Sequence, residues 1–211
     1  MAKFFKMIVV LTGISLVAGL ALGALNSATK EQINENVLRF KKLPAVLQAC
    51  SNYVAELDAA GKKTLEDQIL KDRKELELPA KGDNAGGTAL VFMAKRDGKP
   101  YAYVVESSAK GYGGPVTVLV GFDVEGTGLA GIGIATHSET PGLGSRITKP
   151  AFLGQFPRTP LETDFRLAKD GGTVDGVSGA TYSSRAVSDS VISARAFFNT
   201  YREEILAAFA E

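Results

Sequence analysis

The chain has 211 residues, 45% of them hydrophobic, enough for a membrane anchor and one domain of ordinary size. Its 24 basic and 23 acidic residues leave a formal charge of +1, so no basic surplus points to nucleic acid. A single cysteine, Cys50, excludes an intramolecular disulfide and offers no zinc or iron–sulfur ligand set, so redox chemistry here requires an organic cofactor.

Lys3 and Lys6 precede an apolar run from Met7 to Leu25, broken only by Thr12, Ser15 and the glycines 13, 19 and 23. About 20 such residues span a bilayer as a helix. A cleaved signal peptide is the competing reading, but the run is longer than a usual signal core, which favours a retained anchor. The leading lysines predict a cytoplasmic N-terminus, with the rest of the chain outside the cytoplasm. Residues 1–25 are thus assigned to the anchor. Residues 26–87 read as a helical stalk and connecting region. Ile33, Val37, Leu38 and Phe40 recur on a helical period until Pro44 interrupts them. Ala45 to Asp58 predicts a second helix, ended by Gly61. The charged stretch Lys63 to Leu78 predicts a short helix or an exposed excursion.

From Thr88 the pattern changes, and residues 88–211 read as a separate domain. Runs 88–95 and 101–106 flank an Asp97-Gly98 turn and predict a β-hairpin. Runs 116–124 and 129–137, joined by the turn 125–128, extend it to an antiparallel sheet in an α+β fold. Gly131 and Gly133 predict a close backbone approach. A short helix is expected over 147–156 and a short strand over 164–169. Val187, Val191, Ala194, Phe198, Tyr201 and Ile205 then form one apolar face of a long C-terminal helix that packs on the sheet.

Three stretches stand apart in composition: Lys110 to Pro115, Glu139 to Gly144, and Val174 to Ser184. The last has Gly176 and Gly179 among the hydroxyls of Ser178, Thr181, Ser183 and Ser184, where a helix should begin. A helix start has orphan N–H groups and partial positive charge. By composition the stretch fits either an ordinary N-cap or a phosphate site. His137 stands alone and predicts a hydrogen bond within its loop, since a metal site needs several convergent ligands. No catalytic triad or Rossmann fingerprint is readable.

Asp175-x-x-Ser178-Gly179-Ala180-Thr181 resembles the flavinylation motif of the FMN-binding domain family. Together with the other two stretches, it is similar to the G subunit of the Rnf (Rsx) complex. It is also similar to the C subunit of the sodium-pumping NADH:quinone oxidoreductase. The resemblance implies one transmembrane helix and an FMN-binding domain on the periplasmic side of the bacterial inner membrane. It implies FMN joined to Thr181 through a phosphoester that a flavin transferase installs from FAD, with Ser178, Gly179 and Ala180 beside it. The loop 139–144 is expected along the isoalloxazine ring. There Gly142 and Gly144 would permit approach, Leu143 would give an apolar contact, and Glu139 and Thr140 would hydrogen-bond. Arg185 is a candidate partner for the phosphate. The implied role is electron carrier, with no catalytic side chain and no metal. The route runs between ferredoxin and NAD and is coupled to sodium or proton transport. Implied partners are the flavin-bearing D subunit and the iron–sulfur membrane subunits. A quinone-reductase C-type subunit and a non-redox ligand-binding module are the alternatives.

Overall fold

The computed structural model describes residues 2–81 and 86–210. Residues 82–85 of the expected connecting region lie outside the described residues. The chain divides into two compact units, Met1–Phe40 and Lys41–Glu211. In the first unit, helix α1 (Ala2–Val37) is long and apolar enough to cross a membrane and buries none of its residues. Phe5, Leu11, Leu16 and Leu20 are each more than half exposed. Such a helix has its backbone satisfied internally and lacks only an apolar surrounding, which a bilayer supplies.

The second unit is built on a five-stranded antiparallel sheet in simple sequence order. Its strands are β1 (Lys74–Leu78), β2 (Gly87–Arg96), β3 (Lys99–Lys110), β4 (Pro115–Asp123) and β5 (Leu129–Thr136). The last four occupy the expected runs. The Asp97-Gly98 turn closes the β2–β3 hairpin with φ of 52° and 75°, positive values that Asp and Gly tolerate. The addition is β1. Residues 74–78 alternate as Lys-Glu-Leu-Glu-Leu, and Glu75 and Glu77 face solvent while Leu78 is buried. Pairing of β1 with β2 makes it an edge strand, where charged outward residues discourage pairing with another chain.

The helix expected over 147–156 is a 3-10 turn at Gly144–Thr148 followed by the short α5 (Pro150–Leu153). Both sheet faces are covered. Helix α6 (Thr181–Ala208) packs on β3 and β4. All six residues of its expected apolar face are buried, against Val91, Met93, Val105, Val118, Val120 and Phe122 of the sheet. Phe122 and Phe198 stack with ring centroids 4.2 Å apart. Period-2 alternation sends Phe92, Val104 and Leu119 to the other face, where they are also buried. That face carries α2 (Leu43–Ala49) on β4 and β5, then α3 (Ser51–Val54) and α4 (Ala59–Lys71). The glycines of β5 explain how α2 fits. A Cβ at Gly133 would lie 2.0 Å from the carbonyl oxygen of Ala45, and one at Gly131 would lie 2.7 Å from that of Ala49. The helix backbone thus rests directly on the strand.

Three further expectations change. Gly61 starts a helix rather than ending one: its N–H donates to the Asp58 carboxylate at 2.7 Å in the N-cap of α4. The predicted helix 45–58 divides at Cys50, whose φ of −103° and ψ of 24° leave the helical range. Residues 164–169 form no strand. They hold a single bridge, Leu167 to Val174, and Asp164 folds back to accept from Arg166 instead.

Candidate functional site

The Val174–Ser184 stretch is a turn fused to a helix start. Ala180 N–H donates to Val177 C=O at 2.9 Å, and Gly179 takes φ of 77° at the third turn position. A type II turn requires a residue that tolerates positive φ there, hence glycine. Ser184 locks the turn from inside the helix. Its hydroxyl accepts from Val177 N–H at 2.9 Å and donates to Ala180 C=O at 3.0 Å. Thr181 is therefore the first residue of α6, half-buried, and its position is fixed by a turn it does not itself have to hold. The N-cap, Ala180, makes no side-chain cap hydrogen bond. Hydroxyls are abundant here, yet among the described residues none is bonded to a first-turn N–H, which leaves those groups available to an anion.

Glu139 joins the three unusual stretches. It is 4% exposed. Its Oε1 accepts from Gly113 N–H at 2.9 Å, and its Oε2 accepts from the Ser183 hydroxyl. One carboxylate thus ties the 110–115 loop and the first turn of α6 to the 139–144 loop. Glycines make room for it. A Cβ at Gly111 would meet Oε1 at 2.4 Å, one at Gly144 would meet Glu139 Cβ at 2.8 Å, and one at Gly113 would meet the Ser138 carbonyl at 2.1 Å. His137 serves within its loop, accepting through Nδ1 from Glu139 N–H at 3.3 Å.

Where the stretches meet lies an open cleft of about 370 Å³. Glu139, Thr140, Leu143, Gly144, Gly179, Ala180 and Thr181 line it, so most of the expected site residues converge. Gly142 and Ser178 do not line it. Gly142, with φ of 75°, shapes the loop and donates to Ser145 Oγ at 2.9 Å. Ser178 borders an adjacent cleft with Arg146 and Lys149, and its carbonyl accepts from Arg146 at 3.4 Å. Arg185, the candidate partner for a phosphate, is not among the residues that line the cleft. Its guanidinium grips Asp170 through two hydrogen bonds of 2.7 and 2.6 Å, which hold the Asp170 carboxyl below its usual range.

Sequence reading missed two residues, Tyr112 and Tyr182. They line the cleft, are 75% and 63% exposed, and stand with ring centroids 6.4 Å apart. Exposed aromatics on the rim of a cleft give a flat ligand area to lie against. Both sat inside stretches already singled out for their glycines and hydroxyls, and their type was the overlooked signal.

The family model for the FMN-binding domain matches residues 111–196, the span that holds all three stretches' contributions to this cleft. The G subunit of the ion-translocating oxidoreductase complex of Salmonella typhi is 33% identical over 174 residues, covering 79% of this chain and 77% of that protein. The chain belongs to this G-subunit family. Its other relatives of that name include one from Methanosarcina acetivorans, 38% identical over 143 residues and covering 65% of this chain and 75% of that one. Another, from Cereibacter sphaeroides, is 30% identical over 200 residues and covers 91% of this chain and 88% of that one. The crystal structure of the C subunit of Na(+)-translocating NADH-quinone reductase from Parabacteroides distasonis shares the fold. Its TM-score is 0.58 over 87% of this chain and 98% of that one, at 21% identity. For a member of the G-subunit family the cleft suits FMN on two counts of its own: a helix N-terminus whose N-cap residue makes no side-chain cap bond, for a phosphate, and aromatic and leucine walls for a flat ring.

Proposed function

We propose that this chain is a membrane-anchored electron carrier that holds FMN as a phosphoester on Thr181, within an Rnf-type complex. The observation that carries the reading is the place of Thr181. It is the first residue of α6, on the wall of the cleft, at an N-terminus whose N-cap residue, Ala180, makes no side-chain cap bond. A hydroxyl there is presented on a rigid turn with small neighbours, Gly179 and Ala180, which leave a transferase access. The first-turn N–H groups would face the phosphate. Leu143, Tyr112 and Tyr182 would flank the ring, and Thr140 would hydrogen-bond to it or to the ribityl chain. When bound, the flavin supplies the electron chemistry, and the protein supplies position and electrostatic setting. The openness of the cleft leaves room for exchange with a partner at the exposed side.

The finer role follows the resemblance: transfer between a membrane iron–sulfur centre and the flavin of the D subunit, on a route between ferredoxin and NAD that drives sodium or proton transport. The domain is assigned to the extracytoplasmic side by the lysines that precede the anchor. The test is denaturing gel electrophoresis of the full chain made in a host that has the flavin transferase. Flavin fluorescence is expected to migrate with wild type and to be absent from Thr181→Ala at equal protein. A colourless, folded wild type would defeat the reading and favour a non-redox binding module.

A further inference from the structure

We infer that the buried carboxylate of Glu139 lowers the reduction potential of the flavin in this cleft, in addition to tying the loops together. The inference rests on FMN occupying the cleft. Glu139 lines the cleft wall yet is 4% exposed. Its two oxygens sit against two donors, Gly113 N–H and the Ser183 hydroxyl, an arrangement that suits an ionised carboxylate. Both donors are neutral, so neither cancels the charge. Among the described residues no lysine or arginine pairs with it. Arg185 is held by Asp170, and Arg146 reaches toward the Ser178 carbonyl beside the adjacent cleft. A negative charge shielded from water acts strongly on its surroundings. Reduction adds electrons to the flavin, and the carboxylate opposes any negative charge that gathers there. The oxidised form is favoured as a result.

The charge is separable from the geometry. In Glu139→Gln the amide oxygen still accepts from Gly113 N–H. The amide nitrogen donates to Ser183 Oγ, whose hydroxyl turns to accept. The experiment is a potentiometric titration of the full-length, flavin-loaded protein in detergent, followed by flavin absorbance. Loading is checked by fluorescence after denaturation. Glu139→Gln is expected to shift the midpoint upward, so that at the wild-type midpoint its reduced form exceeds the oxidised by roughly tenfold. Ser183→Ala keeps the charge and loses one hydrogen bond, and it is expected to show no such upward shift. A Glu139→Gln midpoint equal to wild type overturns the inference while leaving the FMN reading intact. So does an equal upward shift in both variants, or loss of flavin from Glu139→Gln alone, since either makes the residue a strut and nothing more. Absence of flavin from wild type overturns both.

Discussion

At the scale of single residues, the site depends on atoms that are missing as much as on those present. Gly113 has an ordinary backbone, so its requirement is one of space: an added Cβ would lie 2.1 Å from the Ser138 carbonyl. Backbone cannot give way as a flexible side chain does. Gly113→Ala should therefore force apart the two loops that Glu139 joins, at a cost of about 1–3 kcal/mol. Urea unfolding of wild type and variant measures this, and an unchanged midpoint would show that the loops do not pack as described. The turn at Gly179 and Thr181 stood out because glycines and hydroxyls cluster there before an apolar helix pattern, though composition alone fitted an ordinary N-cap as well and the choice of Thr181 came from the resemblance. The role of Ser183 did not stand out, because a hydroxyl among several hydroxyls gives no sign of which one will meet a carboxylate distant in sequence. Arg185 drew attention as a cation near the motif, but Asp170, on a loop before it, takes two of its guanidinium nitrogens. Sequence proximity to a motif says nothing of prior claims on a charge.

At the scale of elements, the sheet is held between helices by two unlike contacts. On one face α6 uses bulk, with Phe198 stacked on Phe122. On the other face α2 uses absence, with its carbonyls seated over Gly131 and Gly133. The second contact has the smaller tolerance. Gly133→Ala would put a methyl 2.0 Å from the Ala45 oxygen. We expect it to lift α2 and destabilise the fold by about 1–3 kcal/mol or more. Thermal unfolding followed by circular dichroism reads the loss, and a wild-type melting temperature would contradict the packing. The strands from β2 to β5 were readable because each is apolar and bounded by turn residues. The strand β1 carried a correct alternation that was masked by charge: Lys74, Glu75 and Glu77 suit an edge facing water, and their polarity reads as an excursion. Helix α4 was misplaced because Gly61 reads as a helix end. In the fold it lies in the first turn, next to the Asp58 cap. What remained unreadable depends on which distant segment comes alongside, and no local pattern encodes that.

At the scale of the whole molecule, the chain combines an apolar helix that buries none of its side chains with a domain whose sheet is covered on both faces. A bilayer would cover the first, whereas the second already covers its own sheet. The intact protein should accordingly sediment with membranes and require detergent, while deletion of residues 2–25 should release it into the soluble fraction. Fractionation after alkaline washing decides this, and a full-length chain left in the supernatant would contradict the anchor. A covalent tether would suit such a carrier, since attachment holds the cofactor through every turn of oxidation and reduction at a single site. The most direct test of that central claim is peptide mass spectrometry on the protease-digested, full-length protein made with its transferase. The account predicts one peptide carrying an FMN-sized addition, mapped to Thr181, and no modified peptide from Thr181→Ala. Flavin that is released on denaturation, or an addition mapped to Ser178, Ser183 or Ser184 instead, would contradict it.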